Sequence, residues 1–160
     1  MEQLLFKASG EAETDALGAA LARLLSRPAV VALHGTLGAG KTRLVQGLAA
    51  GLGIEREAVS SPTFVLLHEY RGEAPIYHFD AYRLRDADEF WELGAEEYLA
   101  DGRGIVVIEW AERIAGCLPA DRLEIAIQIT GPAERFFRLS FRGACYESTA
   151  DGLKAWIESR

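Results

Sequence analysis

The sequence predicts one α/β domain over residues 1–160, built on a mixed sheet with a parallel core, antiparallel extension strands and flanking helices. A short, wholly apolar run at residues 29–33 leads into a glycine-rich loop and then an amphipathic helix, which suits a strand buried on both faces of a parallel sheet. Two later apolar runs, Ile76-Tyr77-His78-Phe79-Asp80 and Ile105-Val106-Val107-Ile108-Glu109, each end in a carboxylate. Residues 123–130 and 135–141 alternate in polarity around Gly131-Pro132, as two antiparallel strands do.

The elements follow in order. Residues 3–8 read as a short strand. A helix is expected over roughly 11–26, with Ser9 as its N-cap and Glu11 and Glu13 in the first turn, where carboxylates suit the helix dipole. Leu17, Ala20, Leu21, Leu24 and Leu25 recur at helical spacing, and Pro28 ends the run. The helix after the glycine-rich loop spans 41–52, with Leu44, Leu48 and Leu52 on one face and Gly51 and Gly53 as its stop. Ser60-Ser61-Pro62-Thr63 is a loop. Residues 64–70 and 75–80 form a hairpin joined by Arg71-Gly72-Glu73-Ala74. A helical stretch over 86–99 is broken near Gly94, a buried strand covers 104–109, a short helix covers 110–114, and a last helix covers 148–157. No linker, charge block or internal repeat divides the chain.

Composition narrows the function classes. Hydrophobic residues make up 49% of the chain, which argues against disorder. The longest apolar run, residues 28–33, falls far short of the roughly 20 residues a membrane span requires. The N-terminus has no basic region followed by an apolar core, so no secretory signal and no membrane partner are expected. Cys117 and Cys145 are far apart and lack metal-site spacing; they read as reduced, half-buried thiols, with no metal cluster. These features point to the cytoplasm. The net charge of −7, from 24 acidic and 17 scattered basic residues, argues against tight binding of nucleic acid by this chain alone.

Gly35-Thr36-Leu37-Gly38-Ala39-Gly40-Lys41-Thr42 matches G-x-x-x-x-G-K-[ST] in full, with the strand before it and the helix after it that the motif needs. Glycines let successive N–H groups turn inward around phosphate oxygens. The following helix adds the positive end of its dipole. Lys41 supplies a point charge for the β- and γ-phosphates, and Thr42 a hydroxyl for Mg²⁺. The nucleotide contacts are therefore expected from Gly35, Leu37, Gly38, Ala39, Gly40, Lys41 and Thr42. The domain class is that of a P-loop NTPase.

Such a site needs an acid at the end of an apolar strand, and ligand sites in doubly wound sheets lie beyond the carboxyl ends of strands. Glu109 is assigned to the metal with Thr42, through a water. Asp80 is assigned to catalysis with Lys41, orienting the attacking water or acting in the metal's outer shell. A bland alternative is that each carboxylate caps a helix or turn. Thr63 stands where nucleotide switches carry a γ-phosphate sensor, although Ser61-Pro62-Thr63 also reads as an ordinary turn. Trp110, His34 and His78 read as core or packing residues, and Arg83 and Arg85 as solvated surface arginines.

The series of motifs resembles one family. It comprises the glycine-rich loop with Leu37-Gly38-Ala39-Gly40, then Ser61-Pro62-Thr63-Phe64, then His78-Phe79-Asp80-Ala81-Tyr82-Arg83-Leu84. Leu93-Gly94, Glu97-Tyr98, Ile108-Glu109-Trp110-Ala111-Glu112-Arg113 and Leu118-Pro119 follow. In this order, over roughly residues 9–142, they resemble the bacterial TsaE family, the ATPase component of tRNA threonylcarbamoyladenosine biosynthesis. The resemblance implies a small cytoplasmic, Mg²⁺-dependent ATPase, with ATP as substrate, that works with TsaB and TsaD and meets tRNA only through that complex. TsaD installs the threonylcarbamoyl group on adenosine 37, and ATP hydrolysis resets the complex between turnovers. Carried over residue by residue, Lys41 and Thr42 serve phosphate and Mg²⁺, Glu109 the metal, Asp80 hydrolysis and Thr63 the switch. Thr36 stands where relatives commonly have Asp, and Ala81 where Leu is usual. The loop's backbone donors do not depend on the side chain at position 36.

No unambiguous arginine finger appears, so the isolated chain is expected to hydrolyse ATP slowly, with partners accelerating it. A small-molecule kinase is a rival reading, but Arg83 and Arg85 make a poor lid. The other rival is a nucleotide-gated binding module without turnover.

Overall fold

The computed structural model describes residues 2–62 and 66–160; the expected switch residue Thr63 lies outside them. The strands are β1 (Glu2–Ala8), β2 (Ala29–His34), β3 (Leu67–Tyr70), β4 (Ile76–Asp80), β5 (Ile105–Glu109), β6 (Arg122–Ile129) and β7 (Arg135–Arg142). The helices are α1 (Glu11–Leu24), α2 (Lys41–Gly51), α3 (Ala87–Glu92), α4 (Ala95–Ala100) and α5 (Glu147–Glu158), with 3-10 turns at Arg56–Ala58, Ala111–Cys117 and Ala144–Tyr146.

The strands form one sheet in the order β1-β7-β6-β2-β5-β4-β3. β6, β2, β5 and β4 run parallel, with β2 and β5 at the centre. β7 and β1 extend one edge antiparallel, and β3 extends the other. This is the mixed sheet with a parallel core that the sequence predicts. β4 and β5 are buried at every position, as strands covered on both faces must be.

Alternation along these strands divides their side chains between two cores. Val31, Leu33, Ile76, Ile105 and Val107 pack on one face with Leu17, Leu21, Leu44 and Leu48 of α1 and α2. Val30, Ala32, Tyr77, Phe79, Val106 and Ile108 pack on the other with Phe90, Ala95 and Ile114. α1 and α2 meet backbone to backbone through two glycines. A Cβ on Gly18 would lie 2.6 Å from the Leu48 nitrogen, and one on Gly47 would lie 2.7 Å from the Asp15 carbonyl oxygen.

Several boundaries differ from expectation. The N-cap of α1 is Gly10, without a side-chain bond. Ser9 instead donates its hydroxyl to the Glu13 carboxylate, so its side chain is bonded to a carboxylate rather than to the helix backbone. α1 ends at Leu24, with Leu25 already extended. The break in the 86–99 stretch is real: Gly94 sits at φ 82 between α3 and α4. The short helix after β5 is a 3-10 segment that starts at Ala111, because Trp110 takes a left-handed φ of 58. Cys117 is half-buried as expected, and burial pushes its thiol pKa up; Cys145 is exposed.

Candidate functional site at the strand ends

The register of the parallel core brings three strand ends to one level. Leu33 of β2 pairs with Glu109 of β5, and Glu109 pairs with Asp80 of β4. The glycine-rich loop leaves β2 at this edge and enters α2. Within it, Ala39 N–H donates to the Thr36 carbonyl at 3.0 Å, closing a tight turn. Gly40, at φ 107, is the N-cap of α2, a backbone angle that a side chain would strain. Leu37 at the loop tip is 87% exposed.

Lys41, although charged, is buried. Its ammonium donates to the carbonyls of Gly35 at 2.7 Å and Thr36 at 3.0 Å and lies 4.2 Å from the centre of the Trp110 ring. Burial pulls its pKa below the ordinary lysine value, and the carboxylates of Glu109, Glu112 and Asp80 pull the other way. Trp110 is half-buried, packing against the second core while also walling the site, and its left-handed backbone stores about 1–3 kcal/mol of strain beside the carboxylates. An open depression of about 210 Å³ runs over Leu37, Gly38, Gly40, Thr42, Glu109 and Trp110.

The two strand-end carboxylates are both buried. Thr42 Oγ1 donates to Glu109 Oε2 at 3.5 Å. Asp80 Oδ1 accepts from the Tyr82 backbone N–H at 2.8 Å, and Oδ2 accepts from the Ser61 hydroxyl at 3.5 Å. The structure therefore gathers Lys41, Thr42, Glu109 and Asp80 at one edge of the sheet. Arg83 and Arg85 are exposed, and Arg85 is paired with Glu89.

His78 has more than a packing role. It is fully buried, and its Nε2 is hydrogen-bonded to Glu109 Oε2. Its Nδ1 lies 3.1 Å from the Tyr70 hydroxyl, which is also 3.0 Å from the Ser60 carbonyl and 3.1 Å from His68 Nδ1. Tyr70 donates its hydroxyl to the Ser60 carbonyl, and the Nδ1 atoms of His68 and His78 are both within hydrogen-bond distance of the same hydroxyl oxygen. The metal-candidate carboxylate is thereby connected to the loop at Ser60. His34 is not a core residue; it is hydrogen-bonded to Glu112 at 2.8 Å. The signal for His78 was present in the strand period, since residues 78 and 80 of one strand share a face. No comparable signal marked Tyr70, which reaches His78 from the neighbouring strand.

Hard oxygen donors converge where a divalent ion would sit between phosphate and protein: the Thr42 hydroxyl and the Glu109 carboxylate, with Asp80 in register beside them. Among the described residues no group of three or more His, Cys, Asp or Glu is placed to hold a metal ion. This donor set suits Mg²⁺, which keeps several waters and takes one or two carboxylates plus substrate phosphates.

Fold and site define the class: an α/β protein with a glycine-rich strand-to-helix loop facing two carboxylates at the ends of adjacent parallel strands. A model of the family described as "Threonylcarbamoyl adenosine biosynthesis protein TsaE" matches residues 8–136. The chain belongs to the TsaE family. The tRNA threonylcarbamoyladenosine biosynthesis protein TsaE of Bacillus subtilis (strain 168) is 40% identical over 154 residues, covering 96% of this chain and 95% of the relative. That of Treponema pallidum (strain Nichols) is 44% identical over 123 residues, covering 77% and 90%. The crystal structure of YdiB from Bacillus subtilis superposes with a TM-score of 0.80 at 34% identity, covering 97% of this chain and 96% of that one. Among the described residues no helix is long and apolar enough to cross a membrane.

Proposed function

We propose that this chain binds and hydrolyses ATP with Mg²⁺ on the Gly35–Thr42 loop, in the cytoplasm, and that hydrolysis supports threonylcarbamoylation of adenosine 37 in tRNA together with TsaB and TsaD. The observation that carries the reading is the convergence of a buried Lys41, Thr42 and Glu109 at the mouth of the glycine-rich loop, with Asp80 in register with Glu109 on the next strand. The names of the curated relatives support the pathway.

The residues divide the work by their chemistry. Backbone N–H groups at the start of α2 and the Lys41 ammonium bind the polyphosphate. Thr42 and Glu109 would hold Mg²⁺, which when bound neutralises charge on the β- and γ-phosphates. Asp80 orients a water toward the γ-phosphorus. The water oxygen bonds to phosphorus, the bond to the β–γ bridging oxygen breaks, and ADP leaves with that electron pair; the water's proton passes to Asp80 or to solvent. Burial of Asp80 and the Tyr82 N–H bond to its other oxygen fix its carboxylate for this task. Arg85 is exposed and held by Glu89, and a charge for the transferring phosphoryl group would come from a partner. Without an arginine finger, related chemistry runs at on the order of 10⁻⁴ per second, against several per second with one.

Phosphate release by the isolated chain and by its mixture with TsaB and TsaD tests this. Slow release alone, acceleration on mixing, and loss of both in Lys41→Ala are expected. No ATP-dependent phosphate release in the presence of both partners would overturn the reading.

A further inference from the structure

Arg135, the first residue of β7, lies far along the chain from the glycine-rich loop yet touches it directly. Its Nε donates to the Ala39 carbonyl at 3.0 Å, and Nη2 donates to the Gly38 carbonyl at 3.3 Å. Nη1 donates to the carbonyls of Gly131 at 3.1 Å and Glu134 at 2.8 Å, in the turn between β6 and β7. That turn is itself closed by the Thr130 N–H on the Glu134 carbonyl at 3.2 Å. All of these acceptors are neutral backbone oxygens, and among the described residues the guanidinium forms no ion pair with a carboxylate.

The geometry has a consequence for the loop. In a trans peptide, the carbonyl and the following N–H point in opposite directions. Holding the Gly38 and Ala39 carbonyls on Arg135 therefore directs the N–H groups of Ala39 and Gly40 away from it. The Ala39 N–H goes to the Thr36 carbonyl, and the Gly40 N–H heads the start of α2. A flexible, glycine-rich tip is thus fixed in one orientation by a rigid fork anchored to the sheet edge. The charge of that fork is not neutralised by a carboxylate and stands directly behind the loop.

We infer that Arg135 is a positioning residue for polyphosphate binding: it sets the peptide planes at the loop tip before ligand arrives and adds positive potential behind them. This rests on the reading of Gly35–Thr42 as a phosphate site. The role differs from that of an arginine finger, because four of the guanidinium's five N–H donors go to backbone carbonyls rather than to a transferring phosphoryl group.

The test is a fluorescence titration with N-methylanthraniloyl-ADP on the full chain, for wild type, Arg135→Gln and Arg135→Lys. Ligand-free melting and the KM and kcat of phosphate release are measured alongside. Removing hydrogen bonds to a charged group is expected to weaken binding roughly tenfold or more in Arg135→Gln. KM should rise in step while kcat holds within about twofold, because the lost interaction is made equally in ground and transition states. Arg135→Lys keeps the charge but not the fork, and should fall between the two. It carries the test if the glutamine variant melts below the titration temperature. Affinity of Arg135→Gln within about twofold of wild type would overturn the proposal, and Arg135→Lys at wild-type affinity would overturn the positioning role. A wild-type chain that takes up no nucleotide would instead remove the phosphate-site reading itself, and the proposal with it.

Discussion

His78 is the clearest case of a single side chain whose role follows from its neighbours. Fully buried and bonded to Glu109 on one side and Tyr70 on the other, it fixes the direction of the carboxylate that would hold the metal. Partners of this kind orient first-contact ligands, and their loss typically lowers metal affinity 10–100-fold. His78→Phe should therefore raise the Mg²⁺ concentration needed for tight nucleotide binding by roughly tenfold or more, while metal-free nucleotide binding changes little. Titrating Mg²⁺ into the complex with a fluorescent nucleotide reads this; an unchanged Mg²⁺ midpoint would count against it. At this scale the sequence was partly legible. Lys41 and Thr42 stood out as the end of a complete glycine-rich loop motif, and Glu109 and Asp80 as carboxylates closing apolar strands. His78 was marked only by sharing a strand face with Asp80, and Arg135 not at all, because its importance lies in hydrogen bonds to distant partners that no local spacing encodes.

Between elements, two contacts make separate predictions. α1 and α2 touch through Gly18 and Gly47, where any Cβ would fall within 3.0 Å of the opposing backbone. Gly47→Ala should therefore destabilise the chain by about 1–3 kcal/mol despite the better helix propensity of alanine, as overpacking does. Denaturant midpoints measure it, and a gain in stability would contradict the close contact. On the opposite face, Tyr77 of β4 donates its hydroxyl to Asp101, the C-cap of α4. That bond, followed by burial, pushes the phenol pKa from its ordinary value near 10 to about 12. A folded-state pKa raised above the unfolded one means that the stabilisation is complete below about pH 10 and is lost as pH rises through about 12. Tyr77→Phe should flatten this alkaline limb in melts taken between those two pH values. Helix and strand periods were legible for most elements, since β2, β4 and β5 announce themselves as apolar runs. The misjudged N-cap of α1 and the late start of the segment after β5 have local causes: Ser9 hydrogen-bonds to Glu13, and Trp110 adopts a left-handed turn, so neither behaves as its residue type suggests in isolation.

For the molecule as a whole, the sheet order assembles the candidate site. β2, β5 and β4 lie side by side and parallel, so a loop at residue 40 and carboxylates at residues 80 and 109 meet at one edge. The mixed character of the sheet was legible from the two kinds of strand pattern. The order was not, because strand neighbours are chosen by long-range crossovers and not by local sequence. This edge is expected to bind a polyphosphate nucleotide with Mg²⁺. Calorimetric titration of a non-hydrolysable ATP analogue into the full chain, with and without Mg²⁺, addresses it directly. One site per chain is expected, with tighter binding in the presence of Mg²⁺ than without it and loss of binding in Lys41→Ala. Undiminished binding by Lys41→Ala, or no binding by the wild type, would contradict it.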